Sequence, residues 1–112
     1  MTTYFITRQQ GAVQWAEQQG FTIDQVLSHF DTKQVQQDDK VLGTLPVHLA
    51  AEVCARGSEY FHLSLETPPE YRGKELSPQQ MDQFGAKLQR FYITLQHKQE
   101  TDDSIEIDPK AT

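Results

Sequence analysis

The feature that most constrains the fold is an alternation of strand-like and helix-like segments, clearest in VLGTLPVHLAAEVCARG at residues 41–57. A short apolar run is followed by a turn with glycine and proline, and an apolar helical pattern then continues to Gly57. A buried strand that leads within a few residues into a helix is the first half of a strand–helix–strand unit. The stretch therefore predicts an α/β protein.

The rest of the chain continues this alternation. The helix from Ser77 onward is predicted to bury a stripe made of Met81, Phe84 and Leu88. Residues 90–96 fit either a strand or a continuation of that helix, and we adopt the strand. The prediction is a mostly parallel sheet of four or five strands with flanking helices, in a single domain at residues 1–98. Strand order stays open, because the connection between the second and third strands is short and lacks a clear helix. Strands are predicted at 3–8, 25–30, 40–45 and 60–65, and helices at 11–20, at 46–56 and from Ser77 onward.

The net charge of −6 is distributed unevenly. Residues 99–112 contain five acids and one lysine, which gives −4 there and leaves −2 for residues 1–98. This composition predicts a disordered acidic tail and allows a local cationic pocket in the folded part. Because no basic stripe exists, broad binding of duplex nucleic acid does not fit.

Several classes of protein do not fit the sequence. No run approaches the roughly 18 apolar residues of a membrane span, and the N-terminus lacks a signal-peptide pattern. The single cysteine, Cys54, lies in an apolar stretch, which predicts a core residue and suits a reducing cytoplasm. The histidines and Cys54 lack metal-ligand spacing, and no glycine-rich nucleotide loop or serine-hydrolase elbow is present. We expect a cytoplasmic protein without a metal or cofactor.

Polar residues follow three of the predicted strands. In open α/β sheets ligands bind beyond the carboxyl ends of the strands, so these positions are the candidate site. An arginine at a strand end, such as Arg8, is either a surface residue or a fork for phosphate. The two cations on either side of Gly73 form either a solvated loop or a mobile phosphate clamp. The segments are Thr7-Arg8-Gln9, Gly43-Thr44, and the loop from Glu66 that ends in Arg72-Gly73-Lys74.

The turn between the third strand and its helix is a candidate anion site. Gly43 permits close approach of a backbone or a ligand. We expect Thr44 or Leu45 to cap the helix and Pro46 to occupy its first position. The free N–H groups of Val47 and of the next residue would then face an anion at the positive end of the helix dipole. An ordinary capped turn fits the same residues.

His48, in the first turn of this helix, has two interpretations. It shares a polar stripe with Glu52 and Arg56, so it fits an exposed helix residue without a task. It also fits a neutral imidazole that accepts a proton, because the adjoining helix N-terminus disfavours the imidazolium.

Long motifs in the chain resemble a family of small ancillary proteins of type III CRISPR systems. They are FITRQQGAVQWAEQQG (5–20), GTLPVHLAAEVCARG (43–57), YFHLSLETPPEYRGKELS (60–77) and GAKL (85–88), within a likeness that spans roughly residues 3–95. The resemblance implies a ring nuclease, an enzyme that cuts cyclic oligoadenylate, typically cyclic tetra-adenylate, and so switches off the antiviral response. It also implies a compact Rossmann-like (CARF-like) fold, a homodimer and chemistry without a metal.

The motifs coincide with the residues that the strand-end argument selects. From this coincidence we expect Arg8, His48 and Lys74 to be catalytic. We expect ligand contacts from Thr7, Arg8, Gln9, Gly43, Thr44, Val47, Arg72, Gly73 and Lys74. Two alternatives stay open: a module that binds or sequesters the cyclic nucleotide without cutting it, and a protein-interaction subunit of a CRISPR complex.

Deletion of residues 99–112 is expected to leave the melting temperature nearly unchanged, because the segment is acidic and has little apolar surface to bury. At low salt the deletion is expected to tighten the binding of an anionic ligand by removing long-range repulsion. Thermal melts of the full-length and truncated chains test the first expectation. A large loss of stability would show that the tail packs on the body.

Overall fold

A single five-stranded sheet organises the chain, which the computed structural model describes over residues 1–96. The strands are β1 (Thr3–Ile6), β2 (Gln25–Leu27), β3 (Lys40–Gly43), β4 (Glu59–Ser64) and β5 (Lys87–Phe91). The helices are α1 (Gln10–Gln18), α2 (Val47–Ala55) and α3 (Pro78–Gln83), with 3₁₀ turns at Thr32–Gln34 and Pro69–Tyr71. The strand order is β2-β1-β3-β4-β5; the first four strands are parallel, and β5 is antiparallel to β4. The predicted α/β class with a mostly parallel sheet is confirmed.

Each face of the sheet has its own hydrophobic core, because side chains alternate along a strand. Neighbours such as Tyr4 and Phe5, or Val41 and Leu42, belong to different cores. Helix α2 covers the first core, and α1 together with α3 covers the second; we call these sides the α2 face and the α1 face. The fully buried Tyr60 lies in the α2-face core.

The strand order places β1 between β2 and β3, which answers the question that the sequence left open. The connection from β2 to β3 passes β1 without an α-helix. Its end is held by Asp39, which is almost fully buried and accepts hydrogen bonds from the N–H groups of Thr2 (2.8 Å) and Gln36 (2.9 Å). These bonds satisfy the buried carboxylate and fix a connection that has little regular structure of its own.

The C-terminal elements differ from the prediction in their boundaries. Helix α3 ends at Gln83, because Gly85 adopts a left-handed backbone (φ +75°) and Ala86 N–H returns to the Met81 carbonyl at 2.9 Å. The assignment of Leu88 to a helical stripe is therefore wrong: it lies in β5, opposite Leu63 of β4. The strand expected at 90–96 is found at Lys87–Phe91, and residues 92–96 have no regular structure.

The start of α2 also differs from the expectation. Pro46 is the N-cap residue and the helix begins at Val47, so neither Thr44 nor Leu45 caps it. The Leu45 N–H instead donates to the Tyr60 hydroxyl at 2.9 Å, which holds this residue in the turn. At α3, by contrast, the predicted capping box of Ser77 with the glutamine three residues later is confirmed.

Two further predictions concern the extent of the domain and the absence of a membrane-spanning segment. Its boundary at residue 98 and the acidic segment 99–112 lie outside the described residues. Among the helices found in residues 1–96, none has the length and apolar character that crossing a membrane requires.

Gly11→Ala is expected to destabilise the fold, although replacing glycine by alanine inside a helix normally stabilises the helix by roughly 1 kcal/mol. A Cβ at position 11 would overlap the carbonyl oxygen of Leu76. Overpacking of this kind typically costs about 1–3 kcal/mol. The carbonyl of Leu76 cannot move aside easily, because it belongs to the backbone. Gln14→Ala, at an exposed position of the same helix, is the control and should change the free energy of unfolding little. Chemical denaturation of both variants tests this, and a stabilised Gly11→Ala would contradict it.

Candidate functional site

The carboxyl ends of β1, β3 and β4 lie side by side. Ile6 pairs with Gly43, and Gly43 pairs with His62, so the segments after these strands leave the sheet at one edge. We call it the carboxyl edge. From it α1 runs back along one face and α2 along the other, which makes the gap between β1 and β3 a topological switch point. Open α/β sheets bind ligands at such a point.

Gly43 is required by the contact between these two strands. Its backbone has φ +154°, and a Cβ built there would lie 2.9 Å from the carbonyl oxygen of Ile6. The sequence suggested that a backbone or a ligand approaches this glycine, and the structure shows that the β1 backbone does.

A cleft opens at the carboxyl edge on the side of the loop that follows β4. Its volume is about 640 Å³, within the range of small-molecule sites, which is roughly 300–1,000 Å³. We call it the loop cleft. Its lining combines backbone and side chains from the β1–α1 connection and from the loop after β4: Gln9, Leu65, Glu66, Thr67, Tyr71, Arg72, Gly73, Lys74 and Leu76.

The side chain of Gln9 holds the two segments of the loop cleft together. Its Nε2 donates to the Lys74 carbonyl at 3.1 Å, and its Oε1 accepts from the Leu76 N–H at 3.0 Å. Nearby, the Gly11 N–H donates to the Glu75 carboxylate at 2.8 Å, so the first turn of α1 already has an anion from the chain itself. The loop therefore has a defined position over the start of α1.

Thr7 shapes the same connection. Its hydroxyl oxygen accepts from the Gln9 N–H at 3.0 Å, a local turn that sets where the Gln9 side chain starts.

Three cations near the carboxyl edge have no direct carboxylate partner in the part of the chain that the structure describes. Arg8, Arg72 and Lys74 are exposed. The ion pair found in residues 1–96 joins two other side chains, Arg90 and Glu59, at 3.9 Å. Arg72 and Lys74 line the loop cleft, whereas Arg8 precedes Gln9 without lining it. Such cations are available to an anionic ligand.

The turn between β3 and α2 forms a second polar group at the carboxyl edge. The Thr44 hydroxyl donates to the Leu63 carbonyl at 2.7 Å, which ties this turn to the end of β4. Val47 and His48 are exposed, and among residues 1–96 no acceptor receives their N–H groups. Glu52, one turn after His48, accepts from the Thr32 hydroxyl at 2.6 Å.

The structure adds Tyr60 and His62, which the sequence argument did not place in the site. The Tyr60 hydroxyl lies 2.7 Å from His62 Nδ1 and 3.2 Å from the Gly43 carbonyl, in addition to its bond from Leu45 N–H. Burial raises the pKa of this hydroxyl above its ordinary value, so it stays protonated at neutral pH. The available signal was a tyrosine and a histidine two residues apart in a predicted strand, which put both side chains on one face.

The predicted site residues thus form two neighbouring groups. Gln9, Arg72, Gly73 and Lys74 line the loop cleft. Gly43, Thr44, Val47 and His48 lie at the β3–α2 turn, outside the loop cleft. Thr7 and Arg8 follow β1 and line neither the cleft nor this turn. Ligand contacts by these residues remain a prediction.

The remaining candidates concern metals and the cysteine. In residues 1–96, no three histidine, cysteine, aspartate or glutamate side chains are grouped as metal ligands would be. Cys54 is buried in the α2-face core, which confirms the prediction for that residue.

Together these features define an α/β protein with a mostly parallel sheet covered on both faces and a polar cleft at its carboxyl edge. A family model described as "Putative CRISPR-associated protein (Cas_VVA1548)" matches residues 4–94. The chain therefore belongs to this family of CRISPR-associated proteins. No curated protein and no solved structure matches it.

Gln9→Ala is expected to loosen the loop over α1, because it removes both bonds from this side chain. The N–H of Leu76 should then exchange faster with solvent, and the free energy of unfolding should fall by about 1–3 kcal/mol. Gln10→Ala, at the exposed neighbouring position, is the matched control. Amide hydrogen exchange measures the effect, and unchanged protection of Leu76 in Gln9→Ala would contradict it.

Proposed function

We propose that this CRISPR-associated protein is a ring nuclease that binds cyclic oligoadenylate, most suitably cyclic tetra-adenylate, at its carboxyl edge and cleaves it without a metal. Cleavage would end the signal of a type III CRISPR system. The observation that carries the proposal is a group of exposed cations, Arg8, Arg72 and Lys74, that have no carboxylate partner among residues 1–96 and lie at the sheet edge where α/β proteins bind ligands. The family match supplies the CRISPR context.

The cations are suited to an anionic ligand although the whole chain is acidic. Arg8 and Arg72 offer planar forks that match phosphate, and Lys74 offers a point charge. The N–H groups of Val47 and His48, for which residues 1–96 provide no acceptor, add neutral donors at the positive end of α2. Glu66 also lines the loop cleft, so phosphate would be placed toward the cations and away from this carboxylate.

The reaction needs little beyond binding and alignment. Cyclic oligoadenylate carries its own nucleophile, the ribose 2′-hydroxyl beside each scissile phosphate. Aligning that hydroxyl with phosphorus and the leaving 5′-oxygen can contribute roughly 7–11 kcal/mol in favourable cases. In the proposed division of labour Arg8 holds the phosphate, Lys74 stabilises the added negative charge, and His48 accepts the 2′-hydroxyl proton.

The symmetry of the ligand favours a homodimer. Cyclic tetra-adenylate has a two-fold axis. A dimer with C2 symmetry presents two copies of the loop cleft, one from each protomer, related by such an axis. Two copies of the chain would then contact the ring through the same residues.

A binding module that sequesters the cyclic nucleotide is the second candidate. The same cations serve it equally well. It is favoured by one observation: His48 is exposed, and no side chain among the described residues hydrogen-bonds its ring.

Incubation of the purified protein with radiolabelled cyclic tetra-adenylate in EDTA separates the candidates. Linear products support the ring nuclease, and retention of intact ring without cleavage supports sequestration. Neither binding nor cleavage would overturn both, and would favour a protein-interaction subunit.

Arg72→Ala and Lys74→Ala are each expected to weaken the binding of cyclic tetra-adenylate. A hydrogen bond to a charged group contributes about 1.5–3 kcal/mol, which corresponds to roughly 10- to 150-fold in Kd. Arg56→Ala is the control, because this exposed arginine caps the C-terminal end of α2, whereas the carboxyl edge lies at the N-terminal end of that helix. Equal affinity of all three variants and the wild type would exclude the loop cleft as the phosphate site.

A further inference from the structure

The pair formed by Tyr60 and His62 lies directly beneath the β3–α2 turn. Tyr60 has no exposed surface, and His62 is partly exposed at the carboxyl end of β4, beside Gly43 in the sheet. Their side chains share the α2 face, because they are two residues apart in one strand. The buried Tyr60 hydroxyl must satisfy its hydrogen bonds within the protein.

A count of protons at the Tyr60 hydroxyl assigns the tautomer of His62. The hydroxyl has one proton and two acceptor lone pairs. It accepts from Leu45 N–H (2.9 Å), and it lies 3.2 Å from the Gly43 carbonyl and 2.7 Å from His62 Nδ1. All three contacts are satisfied together only if the hydroxyl donates to Gly43 and accepts a proton held on His62 Nδ1. If it donated to Nδ1 instead, the Gly43 carbonyl would lose its donor from this hydroxyl.

The consequence is that Nε2 is the nitrogen at which His62 gains and loses a proton. Nδ1 keeps its hydrogen in both the neutral and the charged ring, because the Tyr60 hydroxyl accepts it in either state. The ring is further held by edge-to-face contacts with Tyr60 and Phe91, at centroid distances of 5.7 and 5.8 Å. His62 is thus a histidine whose orientation and proton-bearing atom are set by its neighbours.

The proposed reaction needs a group of this kind. When the 2′-oxygen bonds to phosphorus, the bond from phosphorus to the 5′-oxygen breaks, and the departing oxygen requires a proton. We propose that His62 is the general acid: Nε2 gives its proton to the leaving 5′-oxygen while His48, at the start of α2 above the same face, takes the proton of the 2′-hydroxyl. The products are a 2′,3′-cyclic phosphate and a 5′-hydroxyl, and the two histidines regain their starting states by exchange with water.

This inference rests on the proposed function, but its structural half can be tested without a ligand. Nitrogen-15 NMR of the histidine rings in the full chain, at a pH where they are neutral, should show His62 protonated at Nδ1 and unprotonated at Nε2. Tyr60→Phe should remove this preference, whereas Tyr4→Phe, in the same core, should keep it. A neutral His62 with its proton on Nε2 in the wild type would overturn the assignment, whether or not the variants fold.

The catalytic half is tested with two substrates: cyclic tetra-adenylate, and the same ring with sulfur in place of each bridging 5′-oxygen. A thiolate leaves without a proton, so only the oxygen substrate needs an acid. His62→Ala and His62→Asn should bind the ring as the wild type does and cleave the oxygen substrate about 10²- to 10⁴-fold more slowly. The asparagine retains a donor for the Tyr60 hydroxyl but cannot transfer a proton. On the sulfur substrate both variants should approach the wild-type rate.

The outcomes separate the possible failures. Slow cleavage of both substrates by His62→Asn would overturn the acid role and mark His62 as a base or a structural residue. Fast cleavage of both would remove it from the mechanism, and His29→Ala, at an exposed histidine after β2, is the control for replacing a histidine. If the wild type cuts neither ring, the proposed function fails and the acid role with it, while the NMR spectrum still decides the assignment of Nδ1.

Discussion

The close approach of β1 and β3 at Ile6 and Gly43 is the contact on which the rest of the carboxyl edge depends. The two central strands lead into α1 and α2, which lie on opposite faces of the sheet. Gly43 lets the backbones of β1 and β3 approach closely, where a side chain would force the strands apart. The Tyr60 hydroxyl then fastens the residues on either side of Thr44 by accepting from Leu45 and donating to Gly43. A packing constraint in the sheet is therefore also what positions the polar turn above it.

The sequence predicted the fold class because its signals are local. The central parallel strands β1 and β3 are short apolar runs buried on both faces, and the capping box at Ser77 is readable from two residues. Features that depend on distant contacts were not readable. The N-cap of α2 shifted to Pro46 because Leu45 bonds to a tyrosine fifteen positions away, and Leu88 left the helical pattern because a left-handed glycine intervenes and β4 offers a pairing partner.

The candidate site divides in the same way. Strand-end logic led to Arg8, Gly43 and Lys74 because the carboxyl ends of parallel strands must share an edge. It did not separate the loop cleft from the β3–α2 turn, since that separation depends on the path of the loop after β4. Tyr60 was missed because an apolar strand gives no sign that one hydroxyl in it has three polar neighbours.

The contact between Gly11 and the Leu76 backbone has a consequence for comparing sequences. Because the first turn of α1 touches the main chain of the loop, the identity of residue 11 and the route of residues 72–76 cannot vary independently. A member of the family with a larger residue at the equivalent position must carry its loop along another path, and its cleft will differ in shape. One position, far in sequence from Arg72 and Lys74 of the loop, therefore serves as a marker by which the family can be sorted into subgroups of different cleft geometry.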